Sequence, residues 1–157
     1  MKIGTLTFHT ARNYGAVLQA YALVRKLIDL GTDAEVIDYR PEFNETRFQK
    51  PKISEFISAR GLYSFLFNNS YQTYNHAGFD NFIRQHIPLS TSKACDIYTL
   101  EELVGNYDII IVGSDQVWNP SCTAGDLAYF LPFRKHHSQI KASYAPSLGR
   151  TFFSNDE

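Results

Sequence analysis

The sequence has few of the features that mark extracellular, metal-binding or membrane proteins. It contains only two cysteines, Cys95 and Cys122, which lie too far apart for a zinc motif or a CxxC redox pair. We therefore expect reduced, structural thiols, as in cytoplasmic proteins. No apolar run approaches the ~18–20 residues of a membrane span, and the N-terminus lacks the apolar stretch of a signal peptide. These absences predict a cytoplasmic protein without a membrane span.

An excess of charge of either sign is also missing. The 15 Lys and Arg residues nearly balance the 16 Asp and Glu residues, which gives a net charge of −1. Because counterion release from nucleic acid needs a positive surface, we expect no nucleic-acid partner. The 44% of hydrophobic residues is typical of a folded domain. The 15% of aromatic residues fits either core packing or the lining of a sugar site, and composition does not separate the two.

The first forty residues predict a strand, a helix and a second strand. Residues 3–8 are apolar and β-branched, and apolar residues then recur every three to four positions over 14–28. Asn13 is placed to cap this helix at its N-terminus, and Gly31 marks its end. Residues 35–39 form the second short apolar run. A strand–helix–strand unit of this length is typical of a parallel sheet with covering helices.

The rest of the chain returns to this alternation after an irregular segment. Residues 42–90 are rich in aromatic side chains and predict a helical insertion. The S/T-x-x-E pattern that begins at Thr99 predicts the start of a short helix. Residues 107–112 are typical of a buried central strand, 127–133 of an edge strand or extended loop, and 140–145 of a further strand. We predict a single α/β domain over the whole chain, with a Rossmann-like parallel sheet and helices on both faces.

Three loops are predicted at the carboxyl edge of this sheet, where open α/β sheets bind their ligands. They are residues 9–15, 113–119 and 146–150. The first loop leads into a helix N-terminus, which together with Arg12 favours an anion. In the alternative interpretation, Asn13 only caps the helix and Arg12 is solvated.

Side chains in these loops each have a functional and a structural interpretation. Asp115 fits a base or a group that orients a hydroxyl, but also an ordinary turn residue. His9 fits a general acid or base, or a loop histidine with a structural hydrogen bond. Trp118 fits a stacking surface for a sugar or a part of the core. Gly15 allows close approach of a ligand and Asn119 precedes a proline, but packing and a turn explain these two equally well.

Several familiar motifs are missing. No G-x-G-x-x-G follows the first strand, so Asp38 has no nicotinamide-binding context, and no P-loop occurs. Ser114 does not lie in a G-x-S-x-G nucleophile elbow. His136 and His137 are adjacent and point to opposite faces of an extended segment, so we expect no metal site.

Four segments carry a family resemblance. They are N-Y-G-A-V-L-Q-A-Y at 13–21, E-V-I-D-Y at 35–39, I-V-G-S-D-Q-V-W-N-P at 111–120 and K-A-S-Y-A-P-S-L-G at 141–149. In order and spacing they resemble the polysaccharide pyruvyl transferase family, and G-S-D-Q-V-W-N is the most specific stretch. The resemblance implies transfer of pyruvate from phosphoenolpyruvate to a sugar of a bacterial surface polysaccharide or exopolysaccharide, with formation of a ketal. It implies no cofactor besides this donor.

The resemblance also implies a larger protein. The family fold is similar to GT-B glycosyltransferases, in which two Rossmann-like domains face a cleft, and residues 1–157 resemble the N-terminal half. Residues 154–157 look like the first turn of a helix, so we expect a second domain that is absent here, with a frayed terminus as the alternative. We expect catalysis to need the longer form, and the face left uncovered to allow a homodimer.

Individual roles for the loop residues of this sequence follow from their place at the sheet edge and from the resemblance together. Catalytic roles fall on Asp115 and His9, and substrate-binding roles fall on Arg12, Asn13, Tyr14, Gly15, Ser114, Gln116, Trp118 and Asn119. Two other functions stay open. One is a non-catalytic carbohydrate-binding or interaction module, and the other is a GT-B-like glycosyltransferase that uses a nucleotide sugar.

Overall fold

Five parallel strands form one sheet in the computed structural model, which describes residues 1–11, 13–43, 77–133 and 138–149. The strands are β1 (Lys2–Leu6), β2 (Asp33–Tyr39), β3 (Leu89–Ala94), β4 (Ile109–Gly113) and β5 (Ile140–Tyr144). Their order across the sheet is β3-β2-β1-β4-β5, and each neighbouring pair is parallel. The predicted Rossmann-like parallel sheet is confirmed.

Helices cover the sheet from both sides. They are α1 (Tyr14–Asp29), α2 (residues 77–86), α3 (Ile97–Val104) and the short α4 (Pro120–Thr123), and a 3-10 turn follows at Leu127–Phe130. On one face, α1 and α2 pack against strand residues that include Ile3 and Val36. On the other face, α3 and the 3-10 turn pack against Ile37 and Ile110. Val36 and Ile37 enter different cores because successive side chains of a strand point to opposite faces.

Helix α1 begins and ends where the sequence predicts. The Asn13 side chain accepts hydrogen bonds from the backbone N–H groups of Gly15 (2.8 Å) and Ala16 (3.3 Å), as an N-cap does. Gly31, just beyond the helix, has φ +81°, a left-handed backbone that glycine adopts at little cost. The predicted apolar face is met only in part. Val17 and Val24 are buried, together with Ala16 and Ala20, whereas Tyr14 and Leu18 are exposed.

Three local features differ from the sequence predictions. Strand β3 is not predicted, because it is a mostly polar edge strand with only two buried residues. Helix α3 begins before Thr99: Asp96 is the N-cap, and Thr99 completes the capping box with it. The predicted strand or extended loop at 127–133 begins as a 3-10 turn, because the Asp126 side chain caps it by accepting from the backbone N–H of Ala128.

The predicted helical insertion at 42–90 lies largely outside the described residues, since 44–76 are not among them. Within the described ranges, no helix is both long and apolar enough to cross a bilayer. Cys95 and Cys122 are both free thiols.

Gly113, the last residue of β4, has no room for a side chain. Its φ is +126°, and a Cβ built there would collide with the backbone carbonyl of Tyr144 on β5. We expect Gly113→Ala to lower the free energy of unfolding by about 2–4 kcal/mol, because relieving the collision requires the backbone of β4 or of β5 to move.

Gly31→Ala is the matched control, since its φ is also positive but nothing lies near the new Cβ. We expect Gly31→Ala to lower the free energy of unfolding by only about 1 kcal/mol, the cost of a positive φ for alanine. Urea unfolding followed by circular dichroism measures both variants, and equal losses would contradict the steric account.

Candidate functional site

The carboxyl ends of β1 and β4 lie side by side at the centre of the sheet. From β1 the chain leaves towards β2, whereas from β4 it leaves towards β5, so the loops that follow these two strands diverge. Open α/β folds bind ligands in the crevice at such a reversal of strand order. The first loop comprises residues 7–13, of which Arg12 lies outside the described residues.

Backbone hydrogen bonds join the loop after β4 to the loop after β5. The carbonyl of Tyr144 accepts from Ser114 N–H (2.9 Å), and the carbonyl of Asp115 accepts from Ser147 N–H (2.8 Å). The carbonyl of Ser147 in turn accepts from Trp118 N–H at 3.3 Å. The pairing of β4 with β5 thus continues beyond the strands. We call residues 113–119 and 145–149 the paired loops.

The paired loops hold strained backbone. Ser114 (φ +35°) and Ala145 (φ +46°) are non-glycine residues with positive φ, and Gly149 has φ +66°. A non-glycine residue in this region costs about 1–2 kcal/mol. Such strain persists where the surrounding structure enforces it, and it clusters at functional sites. Positive φ also occurs at Ala124, Leu131 and Ser138, so it is the strain together with the position at the reversal of strand order that marks the paired loops as the candidate site.

Asp115, Gln116 and Asn119 bring polar groups to the paired loops. Asp115 is partly exposed, and its Oδ1 accepts from the backbone N–H of Gln116 at 2.7 Å. Gln116 is exposed, and its Oε1 accepts from Asn119 Nδ2 at 2.8 Å. Asn119 is buried and caps α4, because its Oδ1 accepts from Ser121 N–H at 3.1 Å. With the buried Ser114, the structure unites four of the residues that the sequence assigns to the site.

The paired loops carry little charge. They contain no lysine or arginine, and Asp115 is their one ionisable side chain. Such a surface offers hydrogen bonds to hydroxyl groups but no cation for a phosphate or a carboxylate. In the part of the chain that the structure describes, no group of three or more His, Cys, Asp or Glu side chains is arranged to hold a metal ion.

Trp118 is held at the base of the paired loops. Its Nε1 donates to the carbonyl of Tyr129 at 2.9 Å, and its ring stacks on Phe130 with centroids 5.6 Å apart and planes 9° apart. The ring is partly buried against the core. The core interpretation of Trp118 therefore holds in part, and one face of the ring is already covered by Phe130.

The end of the first loop and the first turn of α1 place Asn13, Tyr14 and Gly15 at the same edge, and all three are exposed. The Asn13 side chain is engaged as the cap of α1. The Tyr14 ring lies against Phe79 of α2, with centroids 4.7 Å apart. Two of these residues therefore have a structural task in addition to the predicted contact with substrate.

His9, although part of the first loop, is fully buried. Its Nε2 lies 2.9 Å from Asp38 Oδ1, and its Nδ1 lies 3.4 Å from the carbonyl of Thr7. Arg40 binds the same carboxylate through Nε (2.6 Å) and Nη2 (3.1 Å). In this conformation the ring holds the end of β1 against β2. A catalytic role for His9 stays a prediction.

Comparison with family models connects this edge of the sheet to a known group of proteins. The model of the polysaccharide pyruvyl transferase family matches residues 13–156, which include α1 and both paired loops. The chain belongs to this family. The curated proteins and the solved structures gave no match. The paired loops of this pyruvyl transferase family member contain the G-S-D-Q-V-W-N stretch at 113–119.

The Asp38 carboxylate is the electrostatic centre of the network behind the first loop. Burial alone raises the pKa of Asp38, but the hydrogen bonds and charges of His9 and Arg40 outweigh it and lower that pKa to about 2. The carboxylate is therefore ionised near neutral pH. Because His9 and Arg40 bind it, Asp38 serves this network and does not offer the free carboxylate that a ribose-binding site needs.

Asp38 gives the protein a defined sensitivity to acid. The pKa of Asp38 is lower in the folded state than in the unfolded state. Its contribution to the free energy of unfolding is therefore complete above about pH 4 and disappears as the pH falls to about 2. The pKa difference corresponds to about 2 kcal/mol. Since Asp38→Asn cannot titrate, its stability gap to the wild type should narrow by that amount between about pH 5 and pH 2. Urea unfolding across this range measures the gap, and a constant gap would contradict the network.

Two residues of the site are missed by sequence reasoning. Ser147 and Gly149 lie in the loop predicted at this edge and in the K-A-S-Y-A-P-S-L-G segment, but neither is among the predicted site residues. Ser147 Oγ accepts from Gly149 N–H at 3.0 Å. This turn sets Gly149 against the Gln116 and Asn119 amides, where a Cβ would collide with both. The signal that could have found them is a proline and a glycine in close succession after a strand.

Proposed function

We propose that this family member binds a sugar acceptor on its paired loops, in an enzyme that transfers pyruvate from phosphoenolpyruvate to two hydroxyl groups of that sugar as a ketal. The observation that carries the proposal is the strained frame of the paired loops, which holds one partly exposed carboxylate, Asp115, among uncharged polar groups. Strain of this kind fixes side chains for a ligand at the expense of local stability.

The proposed reaction balances without a further cofactor. Carbon 3 of phosphoenolpyruvate takes up a proton, the bond from carbon 2 to the phosphate oxygen breaks, and two sugar oxygens form bonds to carbon 2. One hydroxyl proton offsets the proton added to carbon 3, and the other leaves with phosphate. The site needs an acid for carbon 3, cations for the phosphate and carboxylate, and a group that orients the hydroxyls and accepts a proton.

Asp115 fits the last of these roles. The hydrogen bond from Gln116 N–H to Oδ1 fixes the carboxylate, and the residue is partly exposed. A fixed carboxylate orients a hydroxyl group and takes its proton as the oxygen attacks. The Gln116 amide lies beside it and offers a further contact to the sugar.

The anion-binding roles fall outside the paired loops, because those loops contain no lysine or arginine. Arg40 is bound to Asp38 behind the first loop. Arg12 is the one cation among the predicted substrate-binding residues. We expect Arg12, together with residues beyond the paired loops, to bind the phosphate and carboxylate of phosphoenolpyruvate.

Asp115→Asn tests the role of the carboxylate. We expect the rate of phosphate release from phosphoenolpyruvate, driven by an acceptor glycan, to fall about 10²-fold or more, because an amide cannot accept the hydroxyl proton. The measurement uses the full natural gene product and a panel of glycans. Asp33→Asn is the matched control, since Asp33 is exposed at the opposite end of the sheet, where β2 begins. An unchanged rate in Asp115→Asn would remove Asp115 from the reaction.

A non-catalytic carbohydrate-binding module is the second candidate. It is favoured by the burial of His9, which keeps the ring from a ligand, and by the lack of cations in the paired loops. Sugar binding without phosphate release from phosphoenolpyruvate for any glycan would support it. Phosphate release that depends on the glycan would exclude it.

A further inference from the structure

The orientation of the amides in the paired loops follows from one helix cap. Asn119 Oδ1 must be an acceptor, because Ser121 N–H donates to it at 3.1 Å. The Nδ2 group of Asn119 is therefore the one that faces Gln116, and it donates to Gln116 Oε1 at 2.8 Å. Rotating the Asn119 amide would set its N–H groups against Ser121 N–H and break the cap.

Gln116 is fixed by this contact in turn. Its Oε1 accepts from Asn119 Nδ2 and also faces the thiol of Cys122 at 3.7 Å, so the carbonyl end is occupied by two donors. Its Nε2 has no hydrogen bond to the described residues, and the side chain is exposed. Gln116 therefore offers N–H donors, and not an acceptor, to a ligand.

Asp115 offers a hydrogen-bond acceptor, whereas Gln116 offers donors. Its Oδ1 is used by Gln116 N–H, and its Oδ2 has no hydrogen bond within the described ranges. Two consecutive residues thus offer one donor group and one acceptor group. A hydroxyl group both donates and accepts, so a diol satisfies both residues. A phosphate or carboxylate oxygen only accepts, and it would be repelled by the Asp115 charge.

Gly149 keeps this arrangement in place. Its Cα lies against the Gln116–Asn119 hydrogen bond, and a Cβ there would collide with Gln116 Oε1 and Asn119 Nδ2. The hydrogen bond from its N–H to Ser147 Oγ holds the turn that brings it there. The absence of a side chain at this position is therefore part of the arrangement.

We propose that the hydrogen bond from Asn119 to Gln116 sets the polarity of the paired loops, by which we mean that Gln116 presents N–H donors and Asp115 an acceptor to the ligand. The loops therefore select a neutral polyhydroxyl ligand and reject an anion at this position. The identification of that ligand as the sugar acceptor rests on the proposed function. Gln116 is the specificity-determining residue that contacts the ligand. Asn119 and Gly149 are positioning residues that act through Gln116.

Two substitutions invert the polarity by different routes. Gln116→Glu keeps an oxygen for Asn119 Nδ2 but presents a second oxygen in place of the N–H groups. Asn119→Asp keeps the cap, because Asp caps helices as well as Asn does. It removes the Nδ2 donor, so Gln116 turns its own Nε2 towards the new carboxylate and presents Oε1 to the ligand. Gln116→Ala only deletes the contact, and Gln85→Glu, exposed on α2, is the matched control.

Ligand-detected NMR titration of the full natural protein with methyl pyranosides of glucose, galactose and mannose gives the dissociation constants. We expect Gln116→Ala to weaken binding of the best pyranoside about three- to tenfold. Both inverting variants should weaken it more than this deletion, because they set an acceptor beside the Asp115 carboxylate. Gln85→Glu should bind like the wild type.

Two further measurements separate polarity from folding. Circular dichroism should show Asn119→Asp folded, because the cap is kept, while the new charge at this buried position lowers its Tm. Gly149→Ala, verified as folded by circular dichroism, should also weaken pyranoside binding, because the new Cβ pushes the two amides apart.

Three results would overturn the proposal. In the first, Gln116→Glu and Asn119→Asp bind the pyranoside no more weakly than Gln116→Ala does. In the second, the wild type binds none of the pyranosides. In the third, substitutions of Gln116 weaken binding of phosphoenolpyruvate or inorganic phosphate instead of the pyranoside. Phosphate release from phosphoenolpyruvate is measured separately. If no phosphate is released but the variants show the expected order of affinities, only the transfer reaction is rejected. If phosphate is released but substitutions of Gln116 leave the pyranoside affinity unchanged, only the polarity proposal is rejected.

Discussion

The backbone pairing of the loops after β4 and β5 is the constraint on which the site depends. Its backbone hydrogen bonds continue the contact between two parallel strands for several residues past their ends. To follow it, Ser114 and Ala145 take up positive φ, Gly113 leaves no room for a side chain, and Gly149 lies against the Gln116 and Asn119 amides. The rigidity comes from the sheet, because β4 is hydrogen-bonded to β1 on one side and β5 on the other. Asp115 and Gln116 therefore stand on a fixed frame.

The two sides of the carboxyl edge differ in how their charges are satisfied. Behind the first loop, Asp38 is bound by His9 and Arg40, so its charge is balanced inside the protein. On the paired loops, the Asp115 carboxylate keeps an oxygen for a ligand and has no cation in these loops beside it. This contrast supports the proposed division, in which the paired loops bind a neutral acceptor and cations elsewhere bind an anionic donor.

The sequence predicts the parts of the fold that local patterns encode. Apolar runs and the Asn13 cap locate β1, α1 and β2, and the continuous apolar run before Gly113 locates β4. The sequence does not predict strand β3, because an edge strand that is mostly exposed needs few apolar residues. The loops of the site are predictable because they follow strands. The contact of Gly149 with Gln116 is not, since it joins two loops that meet only through the pairing of β4 with β5.

A crystal structure of the full natural protein with a bound acceptor glycan tests the central claim most directly. The account predicts a sugar hydroxyl within about 2.6–3.2 Å of the Asp115 carboxylate and of Gln116 Nε2, with the Asn119–Gln116 hydrogen bond intact. A glycan bound away from the paired loops, or the phosphate of phosphoenolpyruvate in that position, would contradict it.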